Sequence, residues 1–188
     1  WCVDITEGMR AVVPAAGRGT RLRPRTETVP KGLIQVGGKP ILTRCFETVV
    51  GLGVTEIIVV VGYRGDQIID YYGVEFNGTP ISYVRKRELR GPGHAVLLSQ
   101  PFVSGECIVL NGDNVYTGEL ERAISQHKKS DAVGTLVVES VSRETAKETG
   151  VLAFDDSGEL VGVVEKPVDP PSTLVTTGFS VFSPVIFD

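Results

Sequence analysis

Cysteine, histidine and methionine are all scarce in this sequence, whose 188 residues include three cysteines, two histidines and one methionine. The cysteines, Cys2, Cys45 and Cys107, are odd in number and far apart, and no two of them have the C-x-x-C spacing. The sequence therefore predicts neither a disulfide framework nor a zinc site. We expect a reducing, cytoplasmic environment for the protein.

Long apolar segments are missing as well. The longest apolar run, Ile57 to Val61, is far shorter than the roughly 20 residues that span a bilayer. With 41% apolar and 22% charged residues, the composition is that of a soluble globular protein without a membrane partner. The length suits a single core, so we predict one domain over residues 9–188.

Both ends of the chain allow a further interpretation. The one methionine, Met9, comes directly before the first apolar strand pattern, so residues 1–8 are interpreted as an upstream or vector-derived extension. At the other end, Asp188 follows an apolar run without a capping signal. Truncation of the predicted domain at its C-terminus is therefore left open.

Positive charge is concentrated in one short segment of an acidic chain. The formal net charge is −4 and the pI is near 5.3, which argues against a general nucleic-acid binder. Residues 15–31, however, contain one acidic residue, Glu27, and five basic residues. The basic residues are Arg18, Arg21, Arg23, Arg25 and Lys31. This segment therefore carries +4 and leaves −8 for the remainder, which indicates a local anion site.

Strand and helix patterns alternate along most of the chain. Strands are predicted at Arg10–Ala15, Glu56–Gly62, Ile81–Val84, Cys107–Leu110 and Ala132–Val138, and helices at Pro40–Val50, Asp66–Tyr72, Gly93–Ser99 and Glu119–Lys129. After Gly150 the pattern changes to a hairpin and a further strand, at Val151–Phe154, Leu160–Val164 and Thr173–Phe182. We therefore predict a three-layer α/β fold with a mostly parallel, Rossmann-like sheet and appended antiparallel strands after about residue 150.

The glycine loop after the first strand lacks two familiar nucleotide-binding motifs. After Gly17 and Gly19 the next lysine is Lys31, so the Walker A pattern is not matched. Leu22 stands where the dinucleotide fingerprint needs its third glycine. A P-loop NTPase and a nicotinamide dehydrogenase are therefore disfavoured, while the small residues and cations still suit a phosphate group.

Asp113 follows the predicted strand Cys107–Leu110. Open α/β sheets bind ligands at the carboxyl ends of their strands, so we expect Asp113 on the same rim as the glycine loop. One carboxylate together with substrate phosphates can begin a Mg²⁺ site. An Asx turn is the alternative interpretation of the N-G-D-N segment.

Four motifs in order resemble those of the sugar-1-phosphate nucleotidyltransferases. They are A-G-R-G-T-R-L with P-K-G-L (Ala16–Leu22 and Pro30–Leu33), L-N-G-D-N (Leu110–Asn114), E-K-P (Glu165–Pro167) and T-T-G-F-S-V-F (Thr176–Phe182). Glucose-1-phosphate thymidylyltransferases and uridylyltransferases are the most similar branches. The resemblance implies Mg²⁺-assisted, in-line transfer of a nucleotidyl group from a nucleoside triphosphate, with dTTP or UTP favoured, to a sugar-1-phosphate, with release of pyrophosphate. A phosphate monoester is already ionised at neutral pH, so no general base is required.

The resemblance also implies roles for individual residues. Arg21 would bind the departing pyrophosphate, Lys31 would stabilise charge on the α-phosphate, and Asp113 would ligate the metal. The residues implied in nucleotide binding are Pro14, Ala16, Gly17, Gly19, Thr20, Gly91 and His94. Those implied in binding the sugar phosphate are Gly150, Glu165, Lys166 and Thr177.

Two departures from the family pattern leave questions open. Ala16 replaces the first glycine of the loop, and the R-K-R-E-L-R segment upstream of Gly91 contains no glutamine to read the base. The nucleotide and the sugar therefore stay undecided, as does assembly into homo-oligomers. Two alternatives remain: an enzyme of the same fold with another acceptor, such as a cytidylyltransferase or molybdopterin guanylyltransferase, and a non-catalytic subunit that senses nucleotide or sugar phosphate.

Overall fold

A computed structural model describes residue 6, residues 8–86 and residues 91–188, apart from the side chains of residues 21 and 92. The chain divides into two compact units, one formed by Trp1–Thr135 with Ser180–Asp188 and the other by Leu136–Phe179. The expectation of a single domain over residues 9–188 stays a prediction.

The strands and helices that the sequence predicts occur in the predicted order, together with further elements that it did not predict. In chain order they are β1 (Arg10–Ala15), β2 (Gln35–Val36), β3 (Lys39–Pro40), α1 (Ile41–Gly51), β4 (Glu56–Val61), α2 (Gly65–Tyr72), β5 (Glu75–Phe76), β6 (Thr79–Arg85), α3 (Gly91–Leu97), β7 (Cys107–Leu110), α4 (Leu120–Lys128), β8 (Gly134–Ser140), α5 (Arg143–Ala146), β9 (Gly150–Phe154), β10 (Leu160–Glu165) and β11 (Leu174–Phe182). The elements that the sequence did not predict are β2, β3, β5 and α5. Within the described residues nine of these strands form a mixed sheet, and β2 and β3 form a separate hairpin.

The first unit contains the parallel core of this sheet. Its strand order is β7-β1-β4-β6, with every neighbouring pair parallel, and β5 is added antiparallel to β6 at the edge. Val12, for example, is paired with Ile58 on one side and with Val109 on the other. The β-branched runs of β1 and β4 are thus buried inside a parallel sheet, as their near-continuous apolar character predicts.

Helices cover both faces of this parallel sheet. One face packs Val12, Ile58 and Val109 against Ala95 of α3. Successive side chains of a strand point to opposite faces, so the fully buried Val13 lies on the other side of the sheet. Leu42 of α1 lies on that side, because a Cβ atom built on Gly112 would meet both Leu42 and Val13. The buried residues of α1 are Leu42, Cys45, Phe46 and Val49. The predicted α/β fold is confirmed.

The second unit is built from antiparallel strands. Strand β9 pairs with β10, with Gly150 opposite Glu165, and β11 pairs with β9 through Val175 and Val151. Ala146 of α5 packs with Val151 and Val175 in a small core. The antiparallel strands predicted after residue 150 are therefore confirmed, and β10 extends one residue further than predicted, to Glu165.

Some boundaries differ from the prediction for identifiable reasons. Pro40 does not lie in the first turn of α1; its backbone is extended, with φ −52° and ψ 140°, and it ends β3. Strands β2, β3 and β5 were not predicted, because two residues carry no readable alternation. Helix α3 begins at Gly91, two residues before its predicted start. Among the described residues no helix combines the length and apolar character that crossing a bilayer requires.

Candidate active site

The loop that leaves β1 starts in a tightly packed position. Ala16 is buried, and it lies directly against Gly62 at the end of β4. A Cβ atom built on Gly62 would lie only 2.8 Å from both the Cβ and the carbonyl oxygen of Ala16. Glycine at position 62 is therefore what allows the two strand ends to approach each other.

Gly19 and Thr26 fold this loop back on itself. Gly19 has φ +60°, and its carbonyl accepts a 2.9 Å hydrogen bond from the hydroxyl of the buried Thr26. The carbonyl also accepts from the amide of Leu22, which closes a 3-10 turn over Thr20–Leu22. The backbone of Arg21 lies in this turn, and its side chain is outside the described part of the chain.

Lys31 begins a further 3-10 turn, Lys31–Leu33, along the same segment. The turn is closed by a 2.9 Å hydrogen bond from the amide of Leu33 to the carbonyl of Pro30. Its middle residue, Gly32, packs against Leu42 of α1. The Nζ atom of Lys31 donates to Oδ2 of Asp113 at 2.5 Å. The predicted catalytic lysine and the predicted metal ligand are thus in direct contact.

The loop that carries Asp113 is held by backbone contacts at the end of β7. The amide of Gly112 donates to the carbonyl of Pro14 at 3.1 Å, and a Cβ on Gly112 would come within 3.0 Å of that oxygen. The buried thiol of Cys45 donates to the carbonyl of Asn114 at 3.2 Å. Burial, together with the Asp113 carboxylate, raises the pKa of this thiol to about 12. Cys45 therefore serves as a neutral donor that supports the loop.

Asp113 lines two cavities. The larger, of about 410 Å³, is lined by Pro14, Ala16, Gly17, Lys86, Gly91, Ala95, Asn111 and Asp113. The smaller, of about 280 Å³, is lined by Gly17, Gly19, Thr20, Leu22, Lys31 and Asp113. Six of the seven residues predicted to bind nucleotide therefore line one of these two cavities, and Gly17 and Asp113 line both.

His94 is the predicted nucleotide-binding residue that lies elsewhere. It is half-buried in α3 and is not among the described residues that line either cavity. Its Nδ1 atom is buried and has no hydrogen-bond partner within the described part of the chain. Its assignment to nucleotide binding stays a prediction.

Lys86 and Asn111 line the larger cavity although the sequence did not single them out. Lys86 directly follows β6, and its Nζ atom donates to the carbonyl of Gly91. Burial lowers the pKa of Lys86 below its ordinary value. The available signal was the position of Lys86 at the carboxyl end of a parallel strand, where open α/β sheets bind their ligands.

The predicted sugar-phosphate residues lie in the second unit. Gly150 is paired with Glu165 across the β9–β10 hairpin, and a Cβ on Gly150 would lie 3.1 Å from Oε2 of Glu165. Lys166 is exposed, and its backbone is held at φ +46° by a 2.9 Å hydrogen bond from its amide to Thr149. The hydroxyl of Thr177, in contrast, donates to the carbonyl of Val137. Glu165 and Lys166 thus present charged groups to solvent, whereas Thr177 supports a strand contact.

The donor set around Asp113 fits a Mg²⁺ ion that substrate oxygens complete. Within the described residues no group of three or more His, Cys, Asp or Glu side chains could hold a metal by itself. Asp113 nevertheless lines both cavities, and its side chain is 39% exposed. Mg²⁺ commonly binds one or two carboxylates together with substrate phosphates, so Asp113 can begin a site of this kind.

A glycine loop, a lysine and an aspartate thus meet at the carboxyl ends of parallel strands, where open α/β sheets bind their ligands. The chain belongs to the nucleotidyl transferase family, which it matches over residues 10–188. The predicted family and enzyme class are therefore confirmed. Nucleotidyltransferases of this family generally use a divalent metal.

Several named proteins are similar to this chain. The UTP–glucose-1-phosphate uridylyltransferase AglF of Haloferax volcanii is 44% identical over 179 residues, which cover 95% of this chain and 74% of AglF. A glucose-1-phosphate thymidylyltransferase of Streptomyces griseus is 33% identical, over 96% of this chain and 51% of that enzyme. The crystal structure of a UDP-glucose pyrophosphorylase complexed with UDP-glucose superimposes with a TM-score of 0.83 at 26% identity, covering 96% of this chain and 78% of that one. The chain thus spans about half to three quarters of the length of these proteins.

Proposed function

We propose that this protein transfers a uridylyl or thymidylyl group from UTP or dTTP to a sugar-1-phosphate, with UTP and glucose-1-phosphate as the first pair to test. The names of two similar proteins, a uridylyltransferase and a thymidylyltransferase that act on glucose-1-phosphate, support this substrate class. The greater identity to the uridylyltransferase, 44% against 33%, favours UTP.

The contact between Lys31 and Asp113 is the observation that carries this proposal. The two residues are 82 positions apart in sequence, yet their side chains form an ion pair at 2.5 Å beside the glycine loop. The lysine side chain is 33% exposed and the aspartate side chain 39%, and pairs this accessible contribute at most about 1 kcal/mol. A polyanionic ligand can therefore displace the pair at low cost.

The proposed reaction needs charge neutralisation and no proton transfer. An oxygen of the sugar-1-phosphate attacks the α-phosphorus of the triphosphate, and the bond from that phosphorus to the bridging oxygen breaks as pyrophosphate leaves. Two phosphate-bearing anions must approach each other, and one unit-charge pair at 4 Å is worth about 4 kcal/mol at an effective dielectric of about 20. Positioning and fixed cations therefore supply most of the catalysis.

Binding of the triphosphate would exchange the partner of Lys31. The ammonium group leaves Asp113 for a phosphate oxygen, where it stabilises charge on the α-phosphate. The Asp113 carboxylate then becomes available to ligate Mg²⁺, which supplies further charge neutralisation when bound. Arg21, whose backbone lies in the turn over Thr20–Leu22, is assigned to the departing pyrophosphate. The amides of Gly17 and Gly19 are assigned to the phosphates.

Glu165 and Lys166 are assigned to the sugar-1-phosphate. Lys166 supplies a cation for its phosphate, and Glu165 accepts hydrogen bonds from sugar hydroxyls. A non-glycine residue at positive φ stores strain that is common at ligand-binding positions, and Lys166 has φ +46°. Gly150 is assigned to close backbone approach, because its neighbour Glu165 leaves little room for a side chain.

We further propose a reducing compartment, the cytoplasm. Among the described residues, Cys45 and Cys107 are both free thiols that are fully buried. Free thiols of this kind are typical of proteins that are not exposed to an oxidising environment. Nucleic acid and membrane are not assigned as partners, and assembly of the chain with itself stays open.

Pyrophosphate release, measured over a matrix of nucleoside triphosphates and sugar-1-phosphates with Mg²⁺, tests the proposed function. We expect turnover with UTP or dTTP and one hexose-1-phosphate, and formation of the matching nucleotide sugar by mass spectrometry. Binding of nucleotide without turnover across the whole matrix would replace this proposal by the sensing subunit. Turnover with CTP alone would favour a cytidylyltransferase.

A further inference from the structure

Lys86 has a fixed backbone position at the edge of the larger cavity. It is the first residue after β6, and its amide donates to the carbonyl of Val61 in β4 at 2.8 Å. The sheet therefore determines where the Cα atom of Lys86 lies. The side chain is half-buried and lines the cavity together with Pro14 and Asn111.

The Lys86 side chain reaches the first residue of α3. Its Nζ atom donates to the carbonyl of Gly91, which has φ +80°. Gly91 also lines the cavity, next to Ala95, whose short side chain is buried. The wall of the cavity thus combines a strong donor and a backbone acceptor that lie side by side, above an apolar surface.

A lysine ammonium group offers three N–H donors and no acceptor. The carbonyl of Gly91 is an acceptor that can exchange its partner when a ligand enters. This adjacent donor and acceptor match the edge of a keto base, in which an exocyclic oxygen stands beside a ring N–H. Uracil, thymine and guanine have this edge, whereas cytosine and adenine present an amino group and an unprotonated ring nitrogen.

We propose that Lys86 reads the base of the bound nucleotide, donating to the exocyclic oxygen of a keto base while Gly91 accepts from the ring N–H. This inference rests on the proposed function, because it assigns the larger cavity to the nucleoside end of the substrate. Lys86 is then the residue that recognises the base, and it lies in a segment, R-K-R-E-L-R, that contains no glutamine.

Cytosine or adenine would form poor hydrogen bonds with both the Lys86 ammonium group and the Gly91 carbonyl. The ammonium would face an amino donor, and the Gly91 carbonyl would face a ring nitrogen that has no proton. A site whose buried polar groups are left unpaired rejects the wrong ligand strongly. Burial already lowers the pKa of Lys86, which indicates that its charge is poorly solvated and gains from an acceptor on the ligand.

Steady-state kinetics with UTP, dTTP, GTP, CTP and ATP test this role. The variant Lys86→Met keeps the length of the side chain and removes its donors, Lys86→Arg keeps a donor, and Lys129→Met alters an exposed lysine of the described chain as the control. For Lys86→Met we expect the KM for UTP to rise at least about tenfold with kcat nearly unchanged, and the preference for UTP over CTP to fall by a similar factor. Lys86→Arg should retain the preference, and Lys129→Met should match the unmodified protein.

Three results would overturn the inference. The first is unchanged base preference in Lys86→Met, and the second is an equal loss of kcat for all five triphosphates, which would indicate a role at the phosphates. The third is a preference of the unmodified protein for ATP or CTP. Thermal unfolding of each variant reports whether the fold is retained.

Equilibrium binding separates this inference from the proposed function. If the unmodified protein shows no turnover with any substrate pair, the proposed function fails, and calorimetric binding of UTP and CTP still decides the role of Lys86. Tighter binding of UTP that is lost in Lys86→Met and kept in Lys86→Arg supports base reading. Equal binding of both nucleotides to the unmodified protein contradicts it.

Discussion

The Nζ atom of Lys31 lies 2.5 Å from the Oδ2 atom of Asp113, although the two residues are 82 positions apart in the chain. Strand β1 is followed by the loop that leads to Lys31, and strand β7, which pairs with β1 in parallel, is followed by Asp113. Parallel neighbours bring the segments after their carboxyl ends to the same edge of a sheet. The sheet itself thus places a cation beside a carboxylate at the site proposed for phosphate transfer.

The glycine at position 62 should be indispensable for the shape of the phosphate loop. In Gly62→Ala the new methyl group would lie 2.8 Å from Cβ and from the carbonyl oxygen of Ala16, so the loop must shift. We expect a loss of about 1–3 kcal/mol in the free energy of unfolding, as for other overpacked sites, and a lower kcat/KM. Gly51→Ala is the matched control, since a Cβ there meets nothing within 4 Å. Equal unfolding temperatures for the two variants would contradict this packing account.

The hydroxyl of Thr26 should be needed to hold the loop closed. Thr26→Val keeps the shape of the side chain and removes the donor to the Gly19 carbonyl, which typically costs about 1 kcal/mol. We expect a KM for the triphosphate that is several-fold higher, measured by pyrophosphate release. Thr26→Ser keeps the hydroxyl and should have the KM of the unmodified protein. Thr28→Val, at an exposed position, should also leave the KM unchanged. A Thr26→Val variant with unchanged KM would show that this hydrogen bond does not position the loop.

Lys166 should affect the sugar phosphate and not the nucleotide. Lys166→Met removes the charge. Methionine is also unbranched at Cβ, so the strain of the backbone at φ +46° should stay similar. Loss of a charged hydrogen bond predicts a rise of about 10- to 100-fold in the KM for sugar-1-phosphate, with the KM for triphosphate unchanged. Lys147→Met is the control, because Lys147 pairs with Glu144 on the exposed surface of α5. A rise in the KM for triphosphate alone would reverse the assignment.

Stability should fall in alkaline solution because several buried acids are kept neutral. Burial raises the pKa of Cys45 to about 12, that of Cys107 to about 11 and that of Tyr83 to about 12. Above about pH 9 the unfolded thiols release protons that the folded protein keeps, so the free energy of unfolding decreases as pH rises. The contribution is fully present below the pKa of the unfolded thiol, about 8.5. Denaturant titrations between pH 7 and 10.5 should show this fall, with a smaller slope in Cys45→Ala. An equal slope in that variant would contradict the assignment to Cys45.

The long buried strands were predictable from the sequence because their composition is unambiguous. Strands β1 and β7 have the predicted bounds, since each is a compact apolar run. The hairpin of β2 and β3 could not be predicted, because two residues per strand contain no alternation. Its turn depends on Gly37 and Gly38, which both have positive φ. Local pattern thus predicts the core better than the short connections.

Part of the candidate site followed from topology and part did not. The proximity of Asp113 to the glycine loop was predictable, because both follow parallel strands. The direction of the Lys86 side chain was not, since it depends on where α3 begins and on a contact with the Gly91 carbonyl. For Thr177 the sequence motif gave no sign that the hydroxyl donates to Val137. Sequence patterns do not predict which side chains contact residues of distant segments.

The central claim is that Lys31 and Asp113 together form the reaction centre. The most direct test is the rate of pyrophosphate release by Lys31→Ala and Asp113→Ala at saturating substrate, beside Lys39→Ala, which changes an exposed lysine paired with Glu47. Removal of a group that stabilises developing charge typically costs about 100- to 1,000-fold in kcat, so we predict a loss of this size in both variants, with unfolding temperatures close to that of the unmodified protein. Normal turnover in both, matching Lys39→Ala, would contradict the account.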